Sequence, residues 1–332
     1  MANNSIAIIA LTRGGRLLAA RLANLLPDSR VLDSERQFKE VLTRAWHQYD
    51  CLLCIMATGI VVRSLAPLLK DKKQDPAVVV CDEQGRFAIS LLSGHLGGAN
   101  AFARQVADLL QGQAVITTAS DVLGHTALDL WAQELNLTVA DRQAFTRTMA
   151  RLVNSGAVCL RSDYPLPPLP ADIRLLDNEE DPAAATPDLW ITCRTDCQAV
   201  TLLHPKALVA GIGCNRNTPE AEIEQALAEA CADNQLALES VLQLASIDLK
   251  NDEPGLLAFA EHKGYTLSFF NRDQLNGVDG VSTSAAVLKA TGAKGVAEPA
   301  AVLASNGGRL LVKTMKWRNV TVALAEIACP WE

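Results

Sequence analysis

The residues best suited to chemistry lie in one dense stretch, between Met56 and Asp121. Within it, the glycine-rich run SGHLGGAN (residues 93–100) joins a predicted strand to a predicted helix and displays His95. Free N–H groups at a helix start suit an anion, Ser93 is placed to cap the helix, and histidine titrates near neutral pH. The run is neither GxGxxG nor a Walker A loop, so a plain tight turn with a packed histidine remains an equal alternative.

A second group of polar residues follows, where the run TTASD (residues 117–121) ends another predicted strand. Asp121 is a candidate partner of His95, or of His125, for acid–base catalysis. The structural alternative is that Asp121 or Ser120 only caps the next helix, which we predict over residues 127–135.

Basic residues form a third feature of this stretch. They predict a local patch that could bind a polyanionic small molecule through charge-assisted hydrogen bonds. An ordinary solvated face, balanced by Asp71 and Asp75, is the alternative. The basic residues are Arg63, Lys70, Lys72, Lys73 and Arg86.

The elements that must position these residues alternate between strands and helices. Apolar runs at 6–11, 31–32 and 51–57 predict strands, and helical spacing follows over 16–26, 35–49 and up to Leu69. Residues 77–81 and 86–92 predict a hairpin, followed by a helix over 99–110 and a strand over 114–118. Farther along, residues 207–212 predict a strand and 218–231 a helix, with Thr218 as N-cap and Pro219 at the first helical position. This alternation predicts an α/β fold with mostly parallel sheets.

Length and proline content suggest how the chain is divided. At roughly 100–200 residues per domain, a chain of 332 residues predicts two or three domains. Residues 164–187 hold six of the fourteen prolines and the acidic run 178–181, which predicts an irregular linker. We therefore predict an N-terminal α/β domain over 1–138, a variable middle segment and linker over 139–205, and a C-terminal α/β domain over 206–332.

Composition excludes several classes of function. With 30 Lys+Arg against 37 Asp+Glu, the formal charge is −7, and with only 5% aromatic residues, nucleic-acid binding is disfavoured. The longest apolar stretch, residues 51–62, is shorter than the ~20 residues of a spanning helix. The N-terminus has no secretion signal, so we expect a cytoplasmic protein without a membrane contact. The nine cysteines then read as reduced thiols, and Cys51 and Cys54 would point to opposite faces of a strand, so we predict no metal site.

The motifs also carry a family resemblance. The runs ATGIVVR (57–63), DKKQDPAVVVCDEQGRFAISLLSGHLGGAN (71–100) and VITTASD (115–121) closely resemble the N-terminal domain of the cobalt-precorrin-5A hydrolase family, which acts in anaerobic cobalamin synthesis. GIGCNRNT (211–218), VSTSAA (281–286), GVAEPAA (295–301) and KTMKWRNVTVALAEI (313–327) resemble its C-terminal domain. Ser120 departs from the threonine more often found there. The resemblance implies two Rossmann-like three-layer α/β/α domains joined by a variable proline-rich middle segment.

The resemblance also implies a reaction. The family opens the δ-lactone of a cobalt-containing macrocycle and releases a two-carbon unit as acetaldehyde, which gives cobalt-precorrin-5B. Cobalt belongs to the substrate, so no cofactor is expected. For this chemistry we expect His95 as general base, Asp121 as its orienting partner, and backbone N–H groups of residues 94–98 as an oxyanion hole. The residues expected to bind substrate are Gly59, Arg63, Lys70, Lys72, Lys73, Arg86, Ser93, Gly94, Gly97, Gly98, Asn100, Thr117, Thr118, Gly213, Ser284, Glu298 and Lys313.

The expected partner is the cobalt-corrinoid substrate, with transient contacts to neighbouring pathway enzymes. Three other functions stay open from the sequence. They are a non-catalytic carrier of corrinoid intermediates, a nucleotide- or phosphate-binding α/β enzyme, and a zinc hydrolase.

Overall fold

A computed structural model describes residues 5–34, 37–71, 74–176 and 186–331. The chain divides into two compact units, Met1–Trp131 (unit 1) and Ala132–Glu332 (unit 2). Within the described ranges, no helix has the length and apolar character needed to cross a membrane. The domain boundaries predicted from the sequence stay predictions.

Unit 1 is built on a six-stranded sheet with the order β2-β1-β3-β4-β5-β6. All neighbours are parallel except β4 and β5, which form the predicted hairpin. Because of this reversal, the carboxyl ends of the strands emerge on two opposite sides of the sheet. We call the side where β1, β3 and β4 end the β3 edge, and the side where β5 and β6 end the β5 edge. The strands are β1 (Ile6–Ala10), β2 (Ser29–Leu32), β3 (Cys51–Ile55), β4 (Ala77–Cys81), β5 (Phe87–Leu92) and β6 (Gln113–Val115).

Helices cover both faces of this sheet, as predicted. The side chains of β3 alternate: Cys51 and Leu53 pack with α1 and α4, whereas Leu52 and Cys54 pack with α2 and α3. The CxxC pair therefore points to opposite faces, as the odd spacing predicts. The helices are α1 (Arg13–Ala23), α2 (Phe38–Gln48), α3 (Thr58–Leu65), a 3₁₀ turn (Ala66–Leu68), α4 (Ala99–Leu110), α5 (Ala119–Leu123) and α6 (Leu128–Glu134).

Unit 2 contains two five-stranded sheets. The first has the order β7-β11-β10-β8-β9, is parallel except between β11 and β7, and packs against α7. Its strand β9 lies in the segment predicted to be irregular, so that prediction was wrong there: Ile173 is buried and pairs with Val158. The elements are β7 (Thr138–Val139), α7 (Arg142–Ser155), β8 (Val158–Ser162), β9 (Ile173–Leu175), β10 (Leu189–Ile191) and β11 (Thr201–His204).

The second sheet of unit 2 has the order β14-β13-β12-β16-β15. Strands β12, β13 and β14 are parallel, and β16 and β15 complete the sheet antiparallel. Helices α8 and α9 cover one face, and α10 and α12 cover the other. The elements are β12 (Leu208–Cys214), α8 (Glu220–Asp233), a 3₁₀ turn (Leu238–Ser240), β13 (Val241–Ile247), a 3₁₀ turn (Asp248–Lys250), α9 (Pro254–Lys263), β14 (Thr266–Phe270), α10 (Arg272–Asn276), α11 (Ala285–Thr291), α12 (Ala297–Ala304), β15 (Arg309–Lys316) and β16 (Val320–Glu326).

The predicted α/β class with mostly parallel sheets is confirmed, while several helix starts differ from prediction, among them those of α1, α2 and α8. Helix α1 begins three residues earlier than expected, because the Thr12 side chain accepts a hydrogen bond from Gly15 N–H and caps it. Helix α8 begins at Glu220 with Pro219 as N-cap. Thr218 instead donates its hydroxyl to the Asn215 carbonyl at 2.9 Å and closes the preceding turn.

Candidate active site

The loop between β5 and α4 presents His95 at the β5 edge. Ser93 has φ +56°, a left-handed conformation that is uncommon outside glycine. Gly98, the N-cap of α4, has φ +84°. At Gly97 a Cβ would lie 2.4 Å from the Ser93 Cβ. The glycines therefore build a tight loop, and the loop carries a histidine.

His95 lies between two carboxylates. Its Nε2 is 2.9 Å from Asp121 Oδ2, and its Nδ1 is 3.2 Å from Asp129 Oδ1. The His95–Asp121 pairing was predicted, whereas Asp129 was not. Since each carboxylate can only accept, both ring nitrogens must carry a proton to satisfy both contacts, which favours the imidazolium. The hydrogen bond to Asp129, reinforced by Asp121, raises the pKa of His95 above 6.5 although burial opposes this.

Asp121 is held in place by further donors. Asn100 Nδ2 lies 2.8 Å from its Oδ2, and the Arg104 guanidinium binds its Oδ1. Burial alone would raise the pKa of Asp121, but the bonds from Arg104 and His95 outweigh it and lower that pKa below 3.8. The pKa of Asp129 is lowered in the same way, with His95 outweighing burial. Both aspartates are therefore ionised around the histidine at neutral pH.

Asn100 is a buried side chain that connects several members of this network. It is 4% exposed, accepts the Ser90 hydroxyl at 2.6 Å, and donates to Thr118 Oγ1 at 3.0 Å as well as to Asp121. Asn100 and Thr118, which we expected to bind substrate, thus use these contacts to position Asp121. Thr117 is exposed just before α5.

Ser120 brings a hydroxyl to the same histidine. Its Oγ lies 3.1 Å from His95 Nε2, so Asp129, His95 and Ser120 have the connectivity of a nucleophile–base–acid triad. For Ser120 to act as a nucleophile, Nε2 would have to be unprotonated and accept the hydroxyl proton. The closer Asp121 carboxylate instead accepts a hydrogen bond from a protonated Nε2. Ser120 lies in the first turn of α5, whose N-cap is Thr118; that Ser120 or Asp121 caps the following helix stays a prediction.

The predicted anion site at the start of α4 is partly closed. The N–H of Gly98 donates to the His95 carbonyl at 2.9 Å, and the N–H of Ala99 donates to the Ser93 carbonyl at 3.1 Å. Asn100 N–H likewise donates to Gly94 O. Ser93 does not cap the helix as expected, because its hydroxyl donates to the Asp75 carbonyl at 2.8 Å. For the N–H groups of residues 94–97, the described part of the chain provides no hydrogen-bond partner.

The basic residues do not form one patch. Lys70 lies at the β5 edge, where its N–H donates to the Asp75 carboxylate. Gly59 and Arg63 lie on α3, which starts from the β3 edge, and the Arg63 guanidinium turns back towards Gly59. Arg86 precedes β5 and therefore also lies at the β3 edge, about 20 Å of strand from the His95 loop. Lys72 and Lys73 lie outside the described residues.

The predicted residues of unit 2 surround a different place. Gly213 and Ser284 line a cavity of about 340 Å³. Glu298, 1% exposed, lies beside it and accepts the N–H groups of Ser282 at 2.7 Å and Thr314 at 2.8 Å. Lys313 is exposed and does not line the cavity.

Sequence reasoning missed Arg104 and Asp129. Arg104 lies four residues after Asn100 on α4, so both reach the same neighbour from one helix face. Asp129 stands in the otherwise apolar run ALDLW at the start of α6. A lone carboxylate in an apolar run indicates a buried, paired side chain, and this signal could have identified Asp129 from the sequence.

Three protein-family models match the chain, in chain order. They are "Cobalamin synthesis G N-terminal" at residues 40–121, "Cobalamin biosynthesis central region" at 126–205, and "Cobalamin synthesis G C-terminus" at 208–325. The chain is 35% identical to cobalt-precorrin-5A hydrolase of Priestia megaterium over 97% of this chain and 94% of that protein. It is 36% identical to cobalt-precorrin-5A hydrolase of Salmonella typhimurium over 96% and 97%. Among solved structures, CobE from the cobalamin pathway is 33% identical over 36% of this chain and 89% of that chain, with a TM-score of 0.34. The chain therefore belongs to the cobalt-precorrin-5A hydrolase family.

Proposed function

We propose that this protein is a cobalt-precorrin-5A hydrolase and that the His95 network of unit 1 carries its chemistry. Two relatives with that activity match nearly the full length of the chain at 35% and 36% identity. The observation that ties the activity to a place is His95, which lies within the SGHLGGAN motif of the family resemblance and is held between Asp121 and Asp129.

The reaction needs two proton transfers at one oxygen. Water adds to the lactone carbonyl and releases a proton to solvent as the carboxylate forms, and the ring oxygen leaves as an alkoxide that must be protonated. In the second step the same hydroxyl loses its proton, the carbon–carbon bond breaks, and acetaldehyde departs while the electron pair stays on the electron-poor macrocycle. A single group can therefore act first as acid and then as base.

The protonation state of His95 supports this order of events. As an imidazolium, His95 starts with the proton that the departing alkoxide needs, and afterwards it is neutral and able to take that proton back. Asp129 keeps hold of Nδ1, while Arg104 and Asn100 keep Asp121 in place when Nε2 turns to the substrate. His95 thus begins the cycle as an acid, where the sequence alone suggested a base.

The surroundings of His95 suit a large apolar ring. Val122 and Leu123 follow Asp121 directly on α5 and are 66% and 56% exposed. The unpartnered N–H groups of residues 94–97 offer donors for the oxyanion of the tetrahedral intermediate. The cobalt ion travels with the substrate in this proposal, and the chain supplies positioning and proton transfer.

The test of this function measures the molar ratio of acetaldehyde released to macrocycle consumed. Purified protein is given cobalt-precorrin-5A without oxygen, and we expect one acetaldehyde per macrocycle.

His95→Ala should lose at least about 100-fold in kcat, the usual range for an acid–base group, and still bind substrate. Asp129→Asn should also lower kcat and displace the pH profile towards lower pH. A bound, spectrally shifted macrocycle without acetaldehyde would indicate a carrier, and full activity of the His95 variant would remove His95 from the mechanism.

The pH dependence separates the two roles of His95. If the imidazolium is the starting form, kcat falls as the pH rises through the raised pKa of His95 in the complex. A general base would give the opposite limb, with kcat rising over that range.

A further inference from the structure

A second candidate site lies in unit 2. The cavity of about 340 Å³ opens at the carboxyl ends of β12 and β13, next to the end of β15 and the start of β16. From β12 the chain adds β13 and β14 on one side of the sheet, whereas β16 and β15 join on the other. Ligands of open α/β sheets bind outside the strand ends where the order changes direction in this way.

The charge of the cavity wall is one-sided. Lys250, Lys316 and Arg318 line it, together with hydroxyl groups that include Ser282 and Thr321, and none of the described residues that line it is acidic. For Lys316 and Arg318, the described part of the chain places no carboxylate within 4 Å. In a protein with a net charge of −7, two cations without partners at a cavity indicate an anionic ligand.

A buried carboxylate keeps the third cation in place. Glu253, the N-cap of α9, is fully buried, and neither of its side-chain oxygens accepts a hydrogen bond from the part of the chain that the structure describes. Lys250 Nζ lies 3.6 Å from Glu253 Oε2, close enough for attraction and too far for a hydrogen bond. Lys250 is therefore held at the cavity by charge while its N–H donors remain available to a ligand.

One wall of the cavity is apolar. Helix α11 contributes Ala286, Val287 and Ala290 to the lining, and none of its residues is buried. The preceding loop is fixed, because the buried Glu298 carboxylate binds Ser282 N–H. The cavity therefore fits a ligand with an apolar body and more than one anionic group.

We propose that this cavity is a second substrate-binding site, which takes a carboxylate-bearing edge of the tetrapyrrole through Lys250, Lys316 and Arg318. That the ligand is the cobalt macrocycle rests on the proposed function, whereas the preference for a molecule with an apolar ring and several carboxylates rests on the residues that line the cavity. At about 340 Å³, the cavity is at the small end of the ~300–1,000 Å³ range of ligand pockets. It therefore admits peripheral carboxylate chains together with the apolar ring edge that carries them, and leaves the rest of the disc outside.

The test uses the full chain and a stable probe, uroporphyrin I, an octacarboxylated tetrapyrrole followed by its own fluorescence. We expect Lys316→Gln/Arg318→Gln to weaken its Kd about tenfold or more, as loss of two charge-assisted contacts predicts. The matched control is Lys289→Gln/Lys294→Gln, which removes the same two charges from exposed positions outside the lining and should stay within about twofold. Circular dichroism and Tm confirm that the variants are folded.

A kinetic measurement distinguishes this proposal from the proposed function. With cobalt-precorrin-5A, the double variant should raise KM by about tenfold or more, and kcat should change much less than KM. If the native protein releases acetaldehyde but Kd and KM are unchanged in the double variant, the second site is refuted and the hydrolase stands. If uroporphyrin binding depends on both cations but no acetaldehyde forms, the hydrolase is refuted and the anion site stands.

Discussion

At the scale of single residues, His95 is unusual because both of its ring nitrogens face carboxylates. Asp121 and Asp129 lie at 2.9 Å and 3.2 Å on opposite sides of the ring, and all three side chains are at most 18% exposed. A single carboxylate would fix a tautomer, as in a catalytic triad, whereas two carboxylates fix a charge state. The identity of the flanking residues thus decides whether the histidine starts as an acid or as a base.

This arrangement predicts a pH-dependent contribution to stability. The raised pKa of His95 means that its stabilisation is fully present below pH 6.5 and is lost as the pH rises through the folded-state pKa. The lowered pKa values of Asp121 and Asp129 set the other limit, since their contribution is present above pH 3.8 and is lost as the pH falls. We expect His95→Gln to lower the free energy of unfolding by about 2 kcal/mol at pH 6 and by clearly less at pH 9.

The measurement is urea unfolding of both proteins at the two pH values. The control is His47→Gln, which changes an exposed histidine on α2 of the same unit and should show no such difference. An equal loss at pH 6 and pH 9 would mean that His95 is neutral in the folded protein.

At the scale of elements, Glu298 joins a loop to a strand. From the first turn of α12 it accepts N–H groups of Ser282, before α11, and of Thr314, in β15. Glu298→Ala leaves two donors unpaired, so we expect a loss of about 2–4 kcal/mol at neutral pH. Burial alone would raise the pKa of Glu298, but the two N–H donors lower it below 4.5. The difference from the native protein should therefore shrink as the pH falls below 4.5.

Urea unfolding between pH 3.5 and pH 7 tests this prediction. Glu261→Ala, at an exposed position on α9 of the same unit, serves as the matched control. A loss that stays constant over this pH range would show that the carboxylate charge is not what the two N–H groups require.

The elements also show why sequence reasoning reached part of the site. The pairing of His95 with Asp121 was predictable, because β5 and β6 are parallel neighbours and both residues follow their ends. The single basic patch was not, because the hairpin turns β5 antiparallel to β4 and sends Arg86 to the opposite edge from His95. Local patterns predict a hairpin, but the edge at which each side chain emerges depends on the order of strands in the finished sheet. The sheet of β7 to β11 was missed because its strands are only two to five residues long.

At the scale of the whole molecule, the proposed anionic substrate would meet two fields of opposite sign. The net charge of −7 repels an anion at long range, whereas in our proposal the cations at the unit 2 cavity attract it at contact. Their ranges differ with salt, since the Debye length is about 30 Å at 0.01 M, 10 Å at 0.1 M and 3 Å at 1 M.

We therefore expect kcat/KM for cobalt-precorrin-5A to pass through a maximum near 0.1 M salt. Below it, the molecule's net negative field reaches the approaching substrate and slows association; above it, the contacts of Lys316 and Arg318 are themselves screened. The measurement is kcat/KM from 0.01 M to 1 M sodium chloride. In Lys316→Gln/Arg318→Gln the decline at high salt should flatten, because those contacts are gone, while the rise at low salt remains and steepens as the net charge becomes more negative. A steady fall of kcat/KM from the lowest salt upward would contradict this picture, because it would mean that the local cations outweigh the net charge even at a distance of 30 Å.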